Sequence, residues 1–171
     1  MLLDWNNLFV SAQQLGRKFA DETLLSVLDD RVPNLEALSF LAMGETRRAH
    51  YATRLARAGY TAVSHVAHRI GGRTKADMDA TLGAAAAKGV LIDDAEQLLL
   101  GSGDSDFVAL IHYLRHLAGR PVRVVGIGVG GSVAGVLDEA CDDSIRLGED
   151  LLPLSPAQQR PRSGFSRSRG R

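Results

Sequence analysis

The chain has 171 residues, of which 45% are apolar, with one cysteine and 20 basic residues against 20 acidic ones. That length suits one domain with a substantial core, and no run approaches the length of a membrane span. No basic stretch followed by a long apolar core opens the chain, and Cys141 alone cannot form an intramolecular disulfide, so a cytoplasmic setting without a membrane partner is expected.

In chain order, Met1 to Leu3 reads as a short strand that ends at Asp4. Asn7 to Phe19 and Asp21 to Leu28 read as helices, and Leu35 to Met43 as a strand closed by Gly44. Thr46 to Arg57 is a helix with Thr46 as its cap and Gly59 past its end, and its Arg47, Arg48, Arg54 and Arg57 read as a solvated face. Tyr60 to Val66 is rich in β formers, and His65 and His68 near its end read as partly buried structural residues. A basic, glycine-containing loop, Arg69 to Thr74, leads into a helix from Lys75 to Lys88 that ends at Gly89. Gln97 to Leu100 is a strand, Ser105 to Leu117 a helix closed by Gly119, and Val122 to Val129 a strand with alternating glycines. Ser132 to Ala140 is a helix, with Ser132 as cap, and Ser144 to Leu147 a last strand. Strands alternating with helices predict an α/β fold of three layers, α/β/α, around a mostly parallel sheet. The domain is expected to span residues 1–152, followed by a disordered Arg/Ser-rich tail, 153–171.

The neutral total hides an asymmetry. Residues from Arg160 onward hold five arginines and no acid, so the preceding body is net acidic. A basic arm of that kind can hold a polyanion by releasing its counterions, and it can equally be a solvated end.

Chemistry concentrates where strands hand over to helices. Gly101-Ser102-Gly103-Asp104-Ser105-Asp106-Phe107 puts two carboxylates on one such turn, Asp4 ends the first strand, and Asp77 and Asp79 open the Lys75 helix. In a parallel sheet these turns share the edge at which open α/β folds bind ligands. Single acids at helix starts are explained by capping or by the helix dipole, typically worth about 1 kcal/mol or less. Two acids at each of two starts, plus Asp4, exceed what capping needs, and clustered carboxylates repel unless a cation sits among them. The set suits one or two Mg²⁺ or Mn²⁺ ions that activate water for attack on a phosphodiester. Arg69, Arg73 and Lys75 flank that edge and could neutralise substrate phosphates. The late Gly126 to Ser132 run lacks the spacing of a dinucleotide loop and reads as close strand–helix packing. Cys141 reads as core packing.

These blocks resemble the NYN domain of the LabA/DUF88 type, within the PIN-like nuclease superfamily. The resemblance rests on Leu2-Leu3-Asp4 with Asn7 three residues on, Lys75 with Asp79, the Ser102 to Phe107 block, Leu114-Arg115, and Ser132, Leu137, Ala140 and Asp142. It covers residues 1 to about 152 and implies a PIN-like fold with a metal-dependent ribonuclease site. By that match Asp4, Asp79, Asp104 and Asp106 would be the catalytic, metal-ligating acids, with Asn7 and Ser102 orienting them. Ser132 would face the same site, and Asp77 would compensate for a second acid that the family often carries where Ala84 to Ala87 stand here. Trp5 stands where the family often has a small residue, and would crowd the site or offer a base a stacking face.

The expected function is a Mg²⁺- or Mn²⁺-dependent endoribonuclease, with RNA as partner and homodimerisation left open. The alternative is a non-catalytic RNA- or protein-binding module with a degenerate acidic site. A weaker third option is a phosphatase or nucleotide hydrolase using the same acids.

Overall fold

The computed structural model describes residues 1–148 except 20, 30–31, 71–72, 76–77 and 131–134. The expected tail 153–171, Asp77 and Ser132 therefore lie outside the described residues. The elements are β1 (Leu2–Asp4), α1 (Trp5–Gln14), α2 (Asp21–Asp29), β2 (Leu38–Met43), α3 (Glu45–Arg57), β3 (Thr61–Val66), β4 (His68–Ile70), β5 (Arg73–Lys75), α4 (Asp79–Leu91), β6 (Gln97–Gly101), α5 (Phe107–Ala118), β7 (Arg123–Val129), α6 (Gly135–Ala140) and β8 (Asp143–Leu147). Among the described residues no helix is long and apolar enough to cross a membrane.

Six strands form one sheet in the order β3-β2-β1-β6-β7-β8, and every pairing in it is parallel. The chain lays down β1, β2 and β3 outward to one side, then returns to place β6, β7 and β8 on the other. The order therefore reverses between β1 and β6, which meet through Leu2 opposite Leu100 and Leu3 opposite Gly101. Reversal points of this kind leave a crevice beyond the strands' carboxyl ends, because the helices that follow the two strands go to opposite faces.

The buried residues fall into two clusters, one on each face. On one side Leu3, Trp5, Leu8, Phe19, Leu28, Leu55 and Ile127 join α1, α2 and α3 to the sheet. On the other, Leu2, Phe40, Met78, Leu82, Phe107, Ile111 and Leu137 join α4, α5 and α6 to it. Leu2 and Leu3 point to opposite faces because side chains alternate along a strand. Both faces are covered, as a parallel sheet requires, and three layers result.

Local chemistry explains several boundaries. α1 begins at Trp5, two residues before the expected start, because the Asp4 carboxylate caps it by accepting the Asn7 N–H at 3.0 Å. It stops at Gln14, well short of the expected Phe19. α3 has Gly44, not Thr46, at its N-cap. The stretch from Arg69 to Thr74 is not a loop throughout. It contributes to an antiparallel pair, β4 with β5, set apart from the main sheet. α4 starts at Asp79 and runs through Gly89 to Leu91, since one glycine inside a helix costs only about 1 kcal/mol. α5 ends as expected at Gly119, whose φ of 60° suits glycine.

The arginine face of α3 is only partly solvated. Arg54 reaches down to Asp21, which is fully buried, and the Trp5 indole N–H donates to the same carboxylate at 2.8 Å. Trp5 stacks on Phe9 and meets Tyr51 edge-on. His65 is exposed rather than partly buried, because β3 is an edge strand and its side chain faces out. Cys141 packs against the second cluster, with its sulfur close to Gly126, which has no Cβ to obstruct it.

Gly101 ends β6 where α1 and β1 press closest. A Cβ there would overlap Leu3 Cδ2 and stand 3.1 Å from Leu8 Cδ1, and both leucines are fully buried. Gly101→Ala is expected to lose about 1–3 kcal/mol of stability in urea unfolding; an unchanged midpoint would mean that the crossing of β1 and β6 is loose.

Candidate nuclease-type active site

Every strand of the main sheet delivers its carboxyl end to one edge, and at the reversal point that edge is built from three junctions. The β1–α1 junction supplies Asp4, Asn6 and Asn7. The β6–α5 loop supplies Ser102, Gly103 and Asp104. The N-terminus of α4 supplies Asp79. A cleft of about 480 Å³ opens there, lined by Asp4, Asn6, Asn7, Val10, Ser11, Gln14, Ala42, Met78 and Asp79.

Hydrogen bonds lock the first two junctions together. The Gly103 N–H donates to Asn7 Oδ1 at 2.9 Å. The Ser102 hydroxyl, itself buried, lies 3.4 Å from Asp4 Oδ2 and accepts the Asp104 N–H at 3.2 Å. Asp104 Oδ1 in turn accepts the Asp106 N–H at 3.0 Å, so Asp104 folds its own loop rather than capping α5 by side chain. On the other flank the Asn6 amide brackets the peptide of Ala42, accepting its N–H at 2.7 Å and donating to its carbonyl at 2.9 Å.

Burial pushes the Asp4 carboxyl above the usual carboxylate range. The Asn7 N–H and Ser102 hydroxyl oppose that shift, and the nearby charge of Asp104 adds to it. No lysine or arginine among the described residues pairs with Asp4 or Asp104. Among the described residues the Asp4 carboxylate thus meets neutral donors, the Asn7 N–H and the Ser102 hydroxyl, and the charge of Asp104.

The structure brings together Asp4, Asn7, Ser102 and Asp104, and places Asp79 on the cleft that Asp4 lines. Asp106 stands exposed at the start of α5, where its backbone N–H, not its carboxylate, meets Asp104. Arg73 and Lys75 lie on β5, with side chains outside the described residues, as are Asp77 and Ser132. Trp5 neither crowds the site nor offers a face to a base. It is 2% exposed, because α1 turns it inward onto Phe9. Reading the sequence missed Asn6, Ser11 and Gln14. Asn7, Ser11 and Gln14 follow i, i+4, i+7 spacing, a legible signal; Asn6 bonds a backbone 36 residues away and leaves none.

Among the described residues no group of three or more His, Cys, Asp or Glu side chains is placed to hold a metal ion by itself. The donor set still suits Mg²⁺ or Mn²⁺. Such ions keep several waters and take one or two carboxylates plus substrate phosphate oxygens, not a full protein cage. Asp4 and Asp104 offer hard oxygen donors of the kind required, and the charge of Asp104 adds to the proton affinity of Asp4.

A six-stranded parallel sheet between helices, with carboxylates at its reversal point, defines a three-layer α/β domain. The model of the NYN domain matches residues 1–148, and the chain belongs to that family, whose fold is nuclease-like. Among solved structures, the chain is similar to a protein of unknown function, VPA0982 from Vibrio parahaemolyticus RIMD 2210633. The TM-score is 0.76 at 19% identity, over 88% of this chain and 93% of that one, so the likeness concerns the fold. No curated protein matches the chain.

The raised proton affinity of Asp4 has a consequence for stability. Its folded pKa lies above its unfolded value, so the folded state binds the proton more tightly. Stability from this group is present at low pH and lost as pH rises through the folded pKa. Asp4→Asn keeps a carbonyl oxygen for the Asn7 N–H and removes the charge. In chelator at pH 8 its thermal midpoint is expected at or above that of the wild type, with the gap closing as pH falls toward 4. A lower midpoint at pH 8 would show that the carboxylate is already compensated.

Proposed function

We propose that this NYN domain is a Mg²⁺- or Mn²⁺-dependent endoribonuclease that hydrolyses RNA phosphodiesters in the cytoplasm. The observation that carries the reading is the Asn7–Gly103 hydrogen bond. It draws two acid-bearing junctions together at the reversal point of a nuclease-like fold.

In this reading Asp4 and Asp104 hold the ion, with Asp79 reaching the same cleft from α4 as a ligand or as acceptor for a bound water. The ion, when bound, supplies Lewis-acid polarisation of the phosphate and a water of lowered pKa. The chain does the rest. Asn7 and Ser102 hold Asp4 and the Asp104 loop in register, so the repelling carboxylates cannot rotate apart. The buried setting of Asp4 keeps its charge poorly solvated and so raises its affinity for a cation over that for water. Arg73 and Lys75, on the hairpin before α4, and the arginine-rich end would supply phosphate contacts that give affinity without sequence preference. No histidine base is required.

One observation favours a second reading, a binding module without turnover. The described acids do not by themselves form a three-residue metal cage, and α4 carries Ala84 to Ala87 where a further acid could have stood. Tight Mn²⁺ binding and RNA binding without cleavage would decide for it.

The test is cleavage of mixed single-stranded RNA with Mg²⁺, with Mn²⁺ and with chelator. Wild type is expected to cut with either metal and not with chelator. Asp104→Asn is expected to cut about 100-fold more slowly or less, while its metal-free fold is at least as stable. A mutant that cuts at the wild-type rate removes Asp104 from the mechanism, and wild-type cleavage that persists in chelator removes the metal.

A further inference from the structure

The cleft does not stop at the acids. It runs along α1, where Asn7, Ser11 and Gln14 face it at i, i+4 and i+7 and so span about 10 Å of helix. Ser11 is the telling member. It is 8% exposed, it lines the cleft, and its hydroxyl has no hydrogen-bond partner among the described residues. A serine or threonine inside a helix commonly bonds the carbonyl four residues back, as Thr53 bonds Ala49 at 2.9 Å in α3. Ser11 leaves its hydroxyl turned to the cleft. That hydroxyl is not one of the fully buried unpartnered atoms, so water in the cleft can reach it, and it gives the helix nothing that alanine, the better helix former, would not. Its neighbours on the stripe are similarly available. Asn7 spends Oδ1 on Gly103, leaving its Nδ2 without a partner among the described residues, and Gln14 is exposed.

The chemistry of the lining selects the ligand. No lysine or arginine is among the described residues that line the cleft, and Asp4 and Asp79 stand at one end, so the stripe is unsuited to phosphate. Neutral donors and acceptors beside the apolar surfaces of Val10 and Met78 suit a nucleoside. We propose that the α1 cleft is a nucleoside subsite, in which Ser11 pairs with the ribose 2′-hydroxyl of the residue flanking the scissile phosphate and Gln14 meets its base edge. The proposal rests on the nuclease reading for its polarity, with the phosphate at the acids and the nucleoside along the helix. A serine hydroxyl donates once and accepts, as a 2′-hydroxyl does, and the glutamine amide offers the donor–acceptor pair that base edges present. The cleft thereby becomes the place where ribose is told from deoxyribose.

The full chain and its Ser11→Ala and Gln14→Ala variants are to be titrated, in Ca²⁺, against fluorescein-labelled single-stranded oligo(U) and oligo(dU), with anisotropy as readout and a gel confirming intact oligonucleotide. Wild type is expected to prefer oligo(U). Ser11→Ala is expected to weaken oligo(U) about fivefold to tenfold, leave oligo(dU) unchanged, and melt no lower than wild type. Gln14→Ala is expected to weaken both ligands several-fold, since it acts on the base. Wild-type affinities in Ser11→Ala, or equal losses on both ligands, would overturn the subsite. Cleavage in Mn²⁺ separates the two claims. Cutting with an indifferent Ser11 sinks the subsite alone. Ser11-dependent ribose preference without cutting supports the subsite and sinks the nuclease reading. Neither binding nor cutting sinks both.

Discussion

Asn6 and Asn7 are adjacent in sequence and bond to opposite neighbours of β1. Asn6 clasps the peptide of Ala42 at the end of β2, and Asn7 takes the N–H of Gly103 after β6. Successive residues in the first turn of a helix are about 100° apart, so two side chains of one type can brace two strands. At the reversal point this matters more than elsewhere. β1 has only three residues, and its pairing with β6 spans two positions. The backbone ladder alone would hold the crevice walls weakly. The two amides extend it past the strand ends, and they fix the separation of the two acid-bearing turns.

The same turn carries an electrostatic conflict. Asp4 caps α1, which favours its negative charge through the N–H of Asn7, yet it is largely buried and within reach of Asp104. Burial wins, and the proton affinity rises. An arrangement kept for folding alone would place a basic partner against these acids, as the structure does at Asp21 with Arg54 and at Asp142 with Arg115. Asp142, bonded by the Val124 N–H and by Arg115, is held below the usual carboxylate range, whereas Asp4 goes the other way. Asp21 is raised by burial as Asp4 is, so what sets Asp4 apart from Asp21 and Asp142 is that no basic partner stands against it among the described residues.

Support for the turn comes from beneath α1. The Trp5 indole is clamped between Phe9 and Tyr51 and donates to the buried Asp21, whose own carboxyl is pushed up by burial and pulled down by Arg54. The Tyr60 hydroxyl donates to the Asp21 carbonyl at 2.9 Å. Breaking a buried pair of this kind strands a charge, so the assembly is rigid rather than strongly stabilising. It couples the first residue of α1 to α2 and α3, and through α1 it holds Asp4 and Asn7 in place.

Much of this was legible in the chain. Alternating β-rich and helix-rich segments determined the layered parallel fold, because period and length distinguish the elements locally. The Asp4 to Asn7 and Ser102 to Phe107 blocks determined which turns carry chemistry, because acids beyond capping needs are a compositional signal. Other features were not local. Whether Trp5 faces solvent or core depends on the direction in which α1 leaves β1, and Arg54 on a carboxylate 33 residues away. Asp106 shares a motif with Asp104, yet it is the Asp106 backbone N–H that the Asp104 carboxylate accepts, and the Asp106 side chain is exposed. Sequence spacing determined the candidates on each turn. Only the sheet order, which sets β1 beside β6, decided that the Asp4 and Asp104 turns are joined through Ser102 and Asn7 and that a cleft runs from Asp4 down α1, since adjacency at a reversal point arises from how distant strands pair and leaves no mark within either strand.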